Sequence, residues 1–195
     1  MDSMTEVSIY LIQALSSLYL LIVLLRFLLQ LCKANFYNPV SQFIVKATQL
    51  LLGPIRKVIP PVNNIDFASL LVALALQLAA MELTLLVAGG GLIPLTTALV
   101  WALIGIASML LNIFFYGLFA AIIVSWILPQ SHHPAIALIW QLMEPVMAPF
   151  RKILPNMGGI DLSPILMFLL INVLRIIVGN FATATQLHPG LVPGI

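Results

Sequence analysis

Charge is what this sequence has least of. Only 7% of its 195 residues are charged, six acids and eight Lys or Arg, while 62% are hydrophobic. Soluble domains carry about 25% charged residues. A soluble fold of this length could not cover its water-facing surface with so few, so a soluble globular protein is excluded. The apolar excess likewise excludes a disordered chain and a collagen-like fibre. A single cysteine, Cys32, excludes a disulfide scaffold. The net charge of +2 is too small for a nucleic-acid binder. A polytopic α-helical membrane protein remains.

A bilayer core needs about 20 apolar residues in helix. Ser8 to Cys32, Asp66 to Ala88 and Leu162 to Phe181 each qualify, interrupted only by Arg26, Glu82 and Arg175 respectively. Leu95 to Leu128 is a fourth stretch of 34 residues without charge, long enough for one helix or two short ones. Charge placement selects one helix. Lys33, Lys46, Arg56 and Lys57 follow the first span, and Arg151 and Lys152 precede the last, while Asp2 and Glu6 mark the N-terminus. Cytoplasmic loops collect Lys and Arg. Four spans place both basic loops in the cytoplasm and both termini outside; five would force one basic loop across. The N-terminus has acids where a secretory signal needs bases, and its apolar run is too long, so the first span is expected to stay as an anchor.

The same architecture is written twice. A shift of 95 residues lays Pro39 on Pro134, Pro54 on Pro149, Arg56-Lys57 on Arg151-Lys152, Pro60 on Pro155 and Ile65-Asp66 on Ile160-Asp161. With Ile44 on Ile139 and Leu71 on Leu166, nine of the 34 positions 38–71 are identical. Each repeat is a span, a basic loop and a span, so the copies run parallel about an axis along the membrane normal. This predicts an all-α membrane protein of four transmembrane helices in two helix–loop–helix repeats. The first repeat covers 1–88, a Gly/Pro linker 89–99, the second repeat 100–184 and a tail 185–195.

Each loop has structure of its own. Val40, Phe43, Ile44, Ala47 and Leu51 recur at helical spacing after Pro39, a residue suited to a first helical turn. Gly53-Pro54 is expected to end that helix. The second copy should run from Pro134 to Glu144-Pro145 and be apolar nearly all round. Helices of 11–14 residues cannot span; they lie in the interface or dip in as re-entrant segments. The Pro-x-Arg-Lys-x-x-Pro motifs that follow predict an extended path holding Arg56, Lys57, Arg151 and Lys152 beside the headgroups, either as topology anchors or as a docking surface. In Asp161-Leu-Ser-Pro164, Ser163 reads as the helix N-cap and Pro164 as the first helical residue, with Asp66 the corresponding cap in the first copy. An Asp to Arg-Lys pairing that closes each loop is the alternative.

These motifs together resemble the YggT family, whose relatives in Gram-positive bacteria and plastids are called YlmG. The resemblance rests on Asn38-Pro39-x-Ser41-x-Phe43, Pro54-x-Arg56-Lys57-x-x-Pro60, and Glu144-Pro145 through Pro149-x-Arg151-Lys152-x-x-Pro155 to Gly158-Gly159-Ile160-Asp161-x-Ser163-Pro164. It covers nearly the whole chain. The first copy departs, with Asn63-Asn64 for Gly-Gly and Ser69 where the second has Pro164. The resemblance implies an inner-membrane protein linked to osmotic tolerance and ion homeostasis in proteobacteria, and to division, nucleoid distribution or cytochrome assembly elsewhere. It implies no established activity.

Polar groups inside a membrane are costly and need partners. Gln77 and Asn172 share a repeat position about 16 Å above their aspartates at ~1.5 Å rise per residue. Ser17 and Asn112 are likewise equivalent. Ala73, Ala80 and Thr84 share the Gln77 face, and Arg175 and Gly179 that of Asn172, predicting helix contact across the internal axis or between protomers, or a narrow polar pathway. Arg175 snorkels outward or pairs with Glu82, and Arg26 should snorkel to the cytoplasmic side.

Nothing resembles a catalytic constellation. No two acids cluster, His132-His133 sit in a turn before Pro134, and Gly89-Gly90-Gly91 lacks the Lys-Ser/Thr of a phosphate loop. No cofactor, metal or haem site is expected. Trp126 and Trp140 should mark the inner interface. The sequence therefore reads as a non-enzymatic scaffold or assembly factor contacting the bilayer and a protein partner or a second copy, with a small channel or transport accessory as the alternative. Candidate contact residues are Arg56, Lys57, Arg151, Lys152, Gly158, Gly159 and Asp161 in the loops and Gln77, Asn112, Asn172 and Arg175 inside the membrane.

Overall fold

The computed structural model describes residues 3–128, 130–153, 161–188 and 190–194. Among these residues the helices are α1 (Ser3–Leu31), α2 (Pro39–Val58), α3 (Phe67–Val87), α4 (Leu95–Ile127), α5 (Pro134–Ile153) and α6 (Ser163–Ala184). Helices α1, α3, α4 and α6 are long and apolar enough to cross a membrane. The uncharged stretch is one continuous helix of 33 residues, with isolated Gly105 and Gly117 inside it. Among the described residues, β structure is limited to one bridge between Val62 and Ile65.

The repeat governs packing. Helix α1 lies mainly against α3 and α4 against α6, and α3 against α4 joins the halves. Helices α2 and α5 lie across one end, each packed on both spans of its own repeat, and touch one another there. The main core gathers around Leu24, Leu28, Leu52, Leu118, Met143 and Met167. A smaller cluster near the opposite end holds Met81, Ala102, Leu187 and Val192.

The end helices are longer than their sequences predict. Helix α2 continues through Gly53-Pro54 to Val58, and α5 through Pro145 and Pro149 to Ile153; both have 20 residues. Proline removes one helical hydrogen bond, and the carbonyl it frees lies four residues earlier. For Pro54 that residue is Leu50 and for Pro149 it is Pro145, both exposed. Both residues lie on the exposed side of their helices, away from the packed core. Arg56-Lys57 and Arg151-Lys152 accordingly sit in last helical turns, not on extended chain, where their charge suits the negative end of the helix dipole. Beyond the stretch expected to be apolar nearly all round, α5 gains a polar side: Leu138, Leu142 and Met147 are buried while Glu144 and Arg151 are exposed. Helix α2 begins as expected, Asn38 capping the Val40 N–H at 2.9 Å with Pro39 in the first turn.

At α6 the cap differs from the Ser163 expectation. Leu162 holds the cap position, Pro164 follows inside the helix, and Asp161 accepts the Ser163 N–H at 2.9 Å. In the first copy Asp66 does cap α3, through the Ser69 N–H at 3.3 Å. Between the loop helix and Asp66 the chain reverses over Asn63 and Asn64, with φ of 48° and 68°. Asparagine enters this left-handed region more easily than other side chains, and glycine enters it freely. That explains which residues suit this turn. Gly158 and Gly159 themselves lie outside the described residues.

Arg26 does not snorkel. It is 3% exposed, and its guanidinium donates across to α2, to the Val45 carbonyl at 2.8 Å and Thr48 Oγ1 at 2.9 Å. A cation held low in the span finds two strong acceptors on the amphipathic helix above it, which outweighs reaching for water.

Candidate functional site

Two clasps of one design join each loop helix to the span after it. In the first, the Arg56 guanidinium donates to the Asp66 carboxylate, which also accepts the Ser69 hydroxyl. In the second, Arg151 Nε donates to Asp161 at 2.9 Å, and Nη1 donates to both Glu144 oxygens at 2.7 Å. The capping reading and the pairing reading are thus both realised: each aspartate binds a helix-start N–H and an arginine at once.

Their environments differ. Side-chain exposure is 20% and 0% for Arg56 and Asp66, against 36% and 44% for Arg151 and Asp161. Burial alone would raise the Asp66 carboxyl, but hydrogen bonds from Arg56 and Ser69 with the Arg56 charge outweigh it and hold Asp66 below the usual carboxylate range. Asp161 is lowered likewise, a smaller burial effect being overcome by Ser163 and Arg151. Lys57 and Lys152 stay exposed beside their engaged arginines.

The end helices also bind each other. Asn38, the α2 cap, donates through Nδ2 to the Pro134 carbonyl at 2.7 Å, and the Asn35 N–H donates to Gln141 Oε1 at 2.8 Å. Spacing alone did not mark these links. Asn38 stands in the motif and has cap chemistry, but its second bond crosses 96 positions of sequence.

Inside the bundle the predicted polar residues divide. Gln77 is fully buried, with Ala73, Ala80 and Thr84 on the same buried face, as the helical spacing requires. Its partner is unexpected: Nε2 donates to the Pro193 carbonyl at 2.9 Å. The segment after α6 folds back against the bundle, held further by Asn112 Nδ2 to the Gly194 carbonyl at 3.1 Å and Trp101 Nε1 to Thr185 at 3.1 Å. Gln13 donates to the Gly190 carbonyl. Gly105 is where this segment comes closest. A Cβ there would collide with Gln77 Nε2 and Val192.

Asn172, the repeat counterpart of Gln77, is exposed and donates to Phe168 O on its own helix at 2.8 Å. Gly179 has open space around it, so this face of α6 is packed within the chain only in part. Arg175 does not pair with Glu82. It donates to Asn112 Oδ1 at 2.7 Å and stacks on Phe115 at 4.7 Å from the ring centre. Asn112 and Ser17, the equivalent pair, line one cavity of about 620 Å³ between α1 and α4, with Gly194 at its wall and Met143 at the other. Among the described residues no His, Cys, Asp or Glu cluster could hold a metal.

The architecture defines a helical membrane protein built from two parallel span–loop–span repeats. Comparison with known families agrees, since the CCB3/YggT model matches twice, at residues 5–87 and 100–182. An uncharacterized protein of Pseudomonas aeruginosa is 47% identical over 189 residues, 95% of each chain. The uncharacterized protein YggT of Escherichia coli K12 is 38% identical over 188 residues, 93% of this chain and 95% of that one. An uncharacterized protein from the proC 3' region of Vibrio alginolyticus is 37% identical over 174 residues, 88% of this chain and 92% of its own. No solved structure matches. The chain belongs to the CCB3/YggT family.

Proposed function

We propose that the chain is a non-enzymatic scaffold or assembly factor of the bacterial inner membrane, with the α2/α5 end in the cytoplasm and both termini periplasmic. Lys33, Lys46, Lys57 and Lys152 are exposed at that end, the distribution expected of a cytoplasmic face. One observation carries the reading, the three-sided build of α2. Ser41, Ile44, Thr48 and Leu52 are buried; Phe43, Leu50 and Val58 form an exposed apolar flank; Gln42, Lys46 and Gln49 form an exposed polar one. A helix in the interface satisfies its apolar flank with lipid, which leaves the polar flank facing water and open to a protein partner. Because Arg56 and Arg151 serve internal pairs, the lysines supply the charge that a partner reads.

Photo-cross-linkers at Gln42 and Lys46 in intact cells should trap a discrete protein adduct. Reversing Lys57 and Lys152 to Glu should remove it while insertion is unchanged. Adducts only to lipid, or adducts indifferent to the reversal, would refute the scaffold reading. The inter-repeat cavity favours a second reading, a channel or transport accessory in osmotic or potassium homeostasis whose path residues 190–194 occlude. Potassium flux into proteoliposomes that rises when those residues are deleted, and falls again with Asn112→Leu, would favour it.

A further inference from the structure

The repeats differ at one position in a way that opens a site. In the first, Arg26 of α1 crosses to the Val45 carbonyl of α2 and fills the space between the helices. Under the 95-residue shift, Arg26 becomes Ala121 and Val45 becomes Trp140. Where the arginine bridged in the first copy, the second has a cavity of about 520 Å³ between α4, α5 and α6. Ala121 and Trp140 both line it, with Leu118, Ile122, Met147 and Ile165. The volume lies within the ~300–1,000 Å³ of small-molecule sites. Its walls are apolar apart from Ser125, whose hydroxyl is bonded to the Ile122 carbonyl, and one side where Arg151 and Asp161 stand, both exposed.

We infer that this cavity is a binding site for a membrane phospholipid with a zwitterionic, amine-bearing headgroup, one acyl chain lying between α4, α5 and α6. The apolar walls exclude a polar solute and suit a hydrocarbon chain. The charge at the mouth selects the headgroup. Arg151 is flanked by two carboxylates, Glu144 and Asp161, and with the exposed Lys152 next to it the cluster carries two charges of each sign. An anionic headgroup gains no net attraction from a balanced cluster. A headgroup with phosphate and ammonium meets both signs: the ammonium lies against Asp161 at the mouth, and the phosphate takes Arg151 Nη2, which makes no hydrogen bond among the described residues. The first repeat cannot offer the same site. Arg26 occupies it, and Asp66 is sealed from the surroundings. This assignment does not depend on the scaffold reading, whose test uses α2 and the exposed lysines.

Tryptophan quenching by brominated acyl chains tests it on the full chain. With Trp101 and Trp126 changed to Phe, Trp140 reports from the cavity wall alone. In vesicles of phosphatidylcholine, brominated phosphatidylethanolamine at low mole fraction should quench Trp140 several-fold more than brominated phosphatidylglycerol does. Ala121→Leu narrows the cavity at its α4 wall and should abolish the preference, and Ala121→Arg, restoring the residue of the first repeat, should do the same. Equal quenching by both lipids, a preference for phosphatidylglycerol, or a preference that survives Ala121→Leu in folded protein would each overturn the assignment.

Discussion

Replacing Asp66 by Asn removes one charge and almost no volume. The carboxylate is fully buried and receives Arg56, the Ser69 hydroxyl and the Ser69 N–H. It also faces Arg26 at longer range. Asparagine can still cap α3 through its oxygen, so the lost quantity is the counter-charge of a largely buried guanidinium. Breaking a buried pair by removing one partner costs ~3–5 kcal/mol; because the cap survives, the low end, about 3 kcal/mol, is expected. For a chain of this size that corresponds to a fall of roughly 6–12 °C in the apparent unfolding temperature. The same change at the repeat equivalent, Asp161→Asn, acts on a pair exposed by a third or more on both sides. Exposed pairs contribute ~0–1 kcal/mol, so the shift should stay below about 4 °C. Purified protein in one detergent, followed by circular dichroism on heating, reads both variants against wild type. Equal shifts, or a larger one for Asp161→Asn, would refute the claim that the first clasp is the structural one.

The Asp66 deficit should also depend on pH. A carboxyl held below its ordinary value contributes stability above the unfolded pKa of about 4 and loses it as pH falls through the folded value. Wild type and Asp66→Asn should therefore converge in melting temperature below about pH 4 and separate above it; parallel curves would count against the pairing. Arg26→Met strips the donors from Val45 O and Thr48, so amide exchange over 40–50 should quicken markedly while α3 is spared. Gly105→Leu should displace the segment after α6, and Val192→Cys, protected in the parent, should then react with an aqueous maleimide; continued protection would mean the segment is not held there. Asn172→Leu should leave stability within ±0.5 kcal/mol, whereas Arg175→Leu frees Asn112 and should lower the melting temperature measurably.

Span number, the single long α4 and the parallel repeat were legible because each rests on a signal that tertiary context cannot override: apolar length, basic-loop placement and a fixed offset of 95. The Arg–Asp clasps were half legible. Their spacing of ten residues is the same in both copies, but which aspartate is buried depends on neighbours such as Arg26 and Ser69. The proline motifs misled about the lengths of α2 and α5. A proline costs a helix one hydrogen bond without always ending it, and whether packing of the flanking turns carries the chain past it is a tertiary property. The segment after α6 gave no warning either. Leu191 to Gly194 carry no pattern, and the groups that hold them, Gln77, Asn112 and Gly105, lie on other helices.

Duplication gave two equivalent positions for every group, and the structure uses them unequally. In the first repeat Arg26 bridges α1 to α2, Asp66 is sealed under Arg56, and Gln77 is buried against Pro193. In the second, Ala121 leaves a cavity, Asp161 stands open, and Asn172 faces outward. A parallel repeat puts both clasps on one face of the membrane, so one copy can fix the frame while the other keeps groups accessible to lipid or a partner. Each first-repeat group, itself buried, ties its helix to a neighbouring element by a hydrogen bond. Each second-repeat counterpart is relieved of that duty because the arginine, the sealed carboxylate and the buried amide are already present once. Exchanging residues between equivalent positions, Arg26 with Ala121 first, therefore separates framework from the proposed lipid site more directly than substitution by alanine.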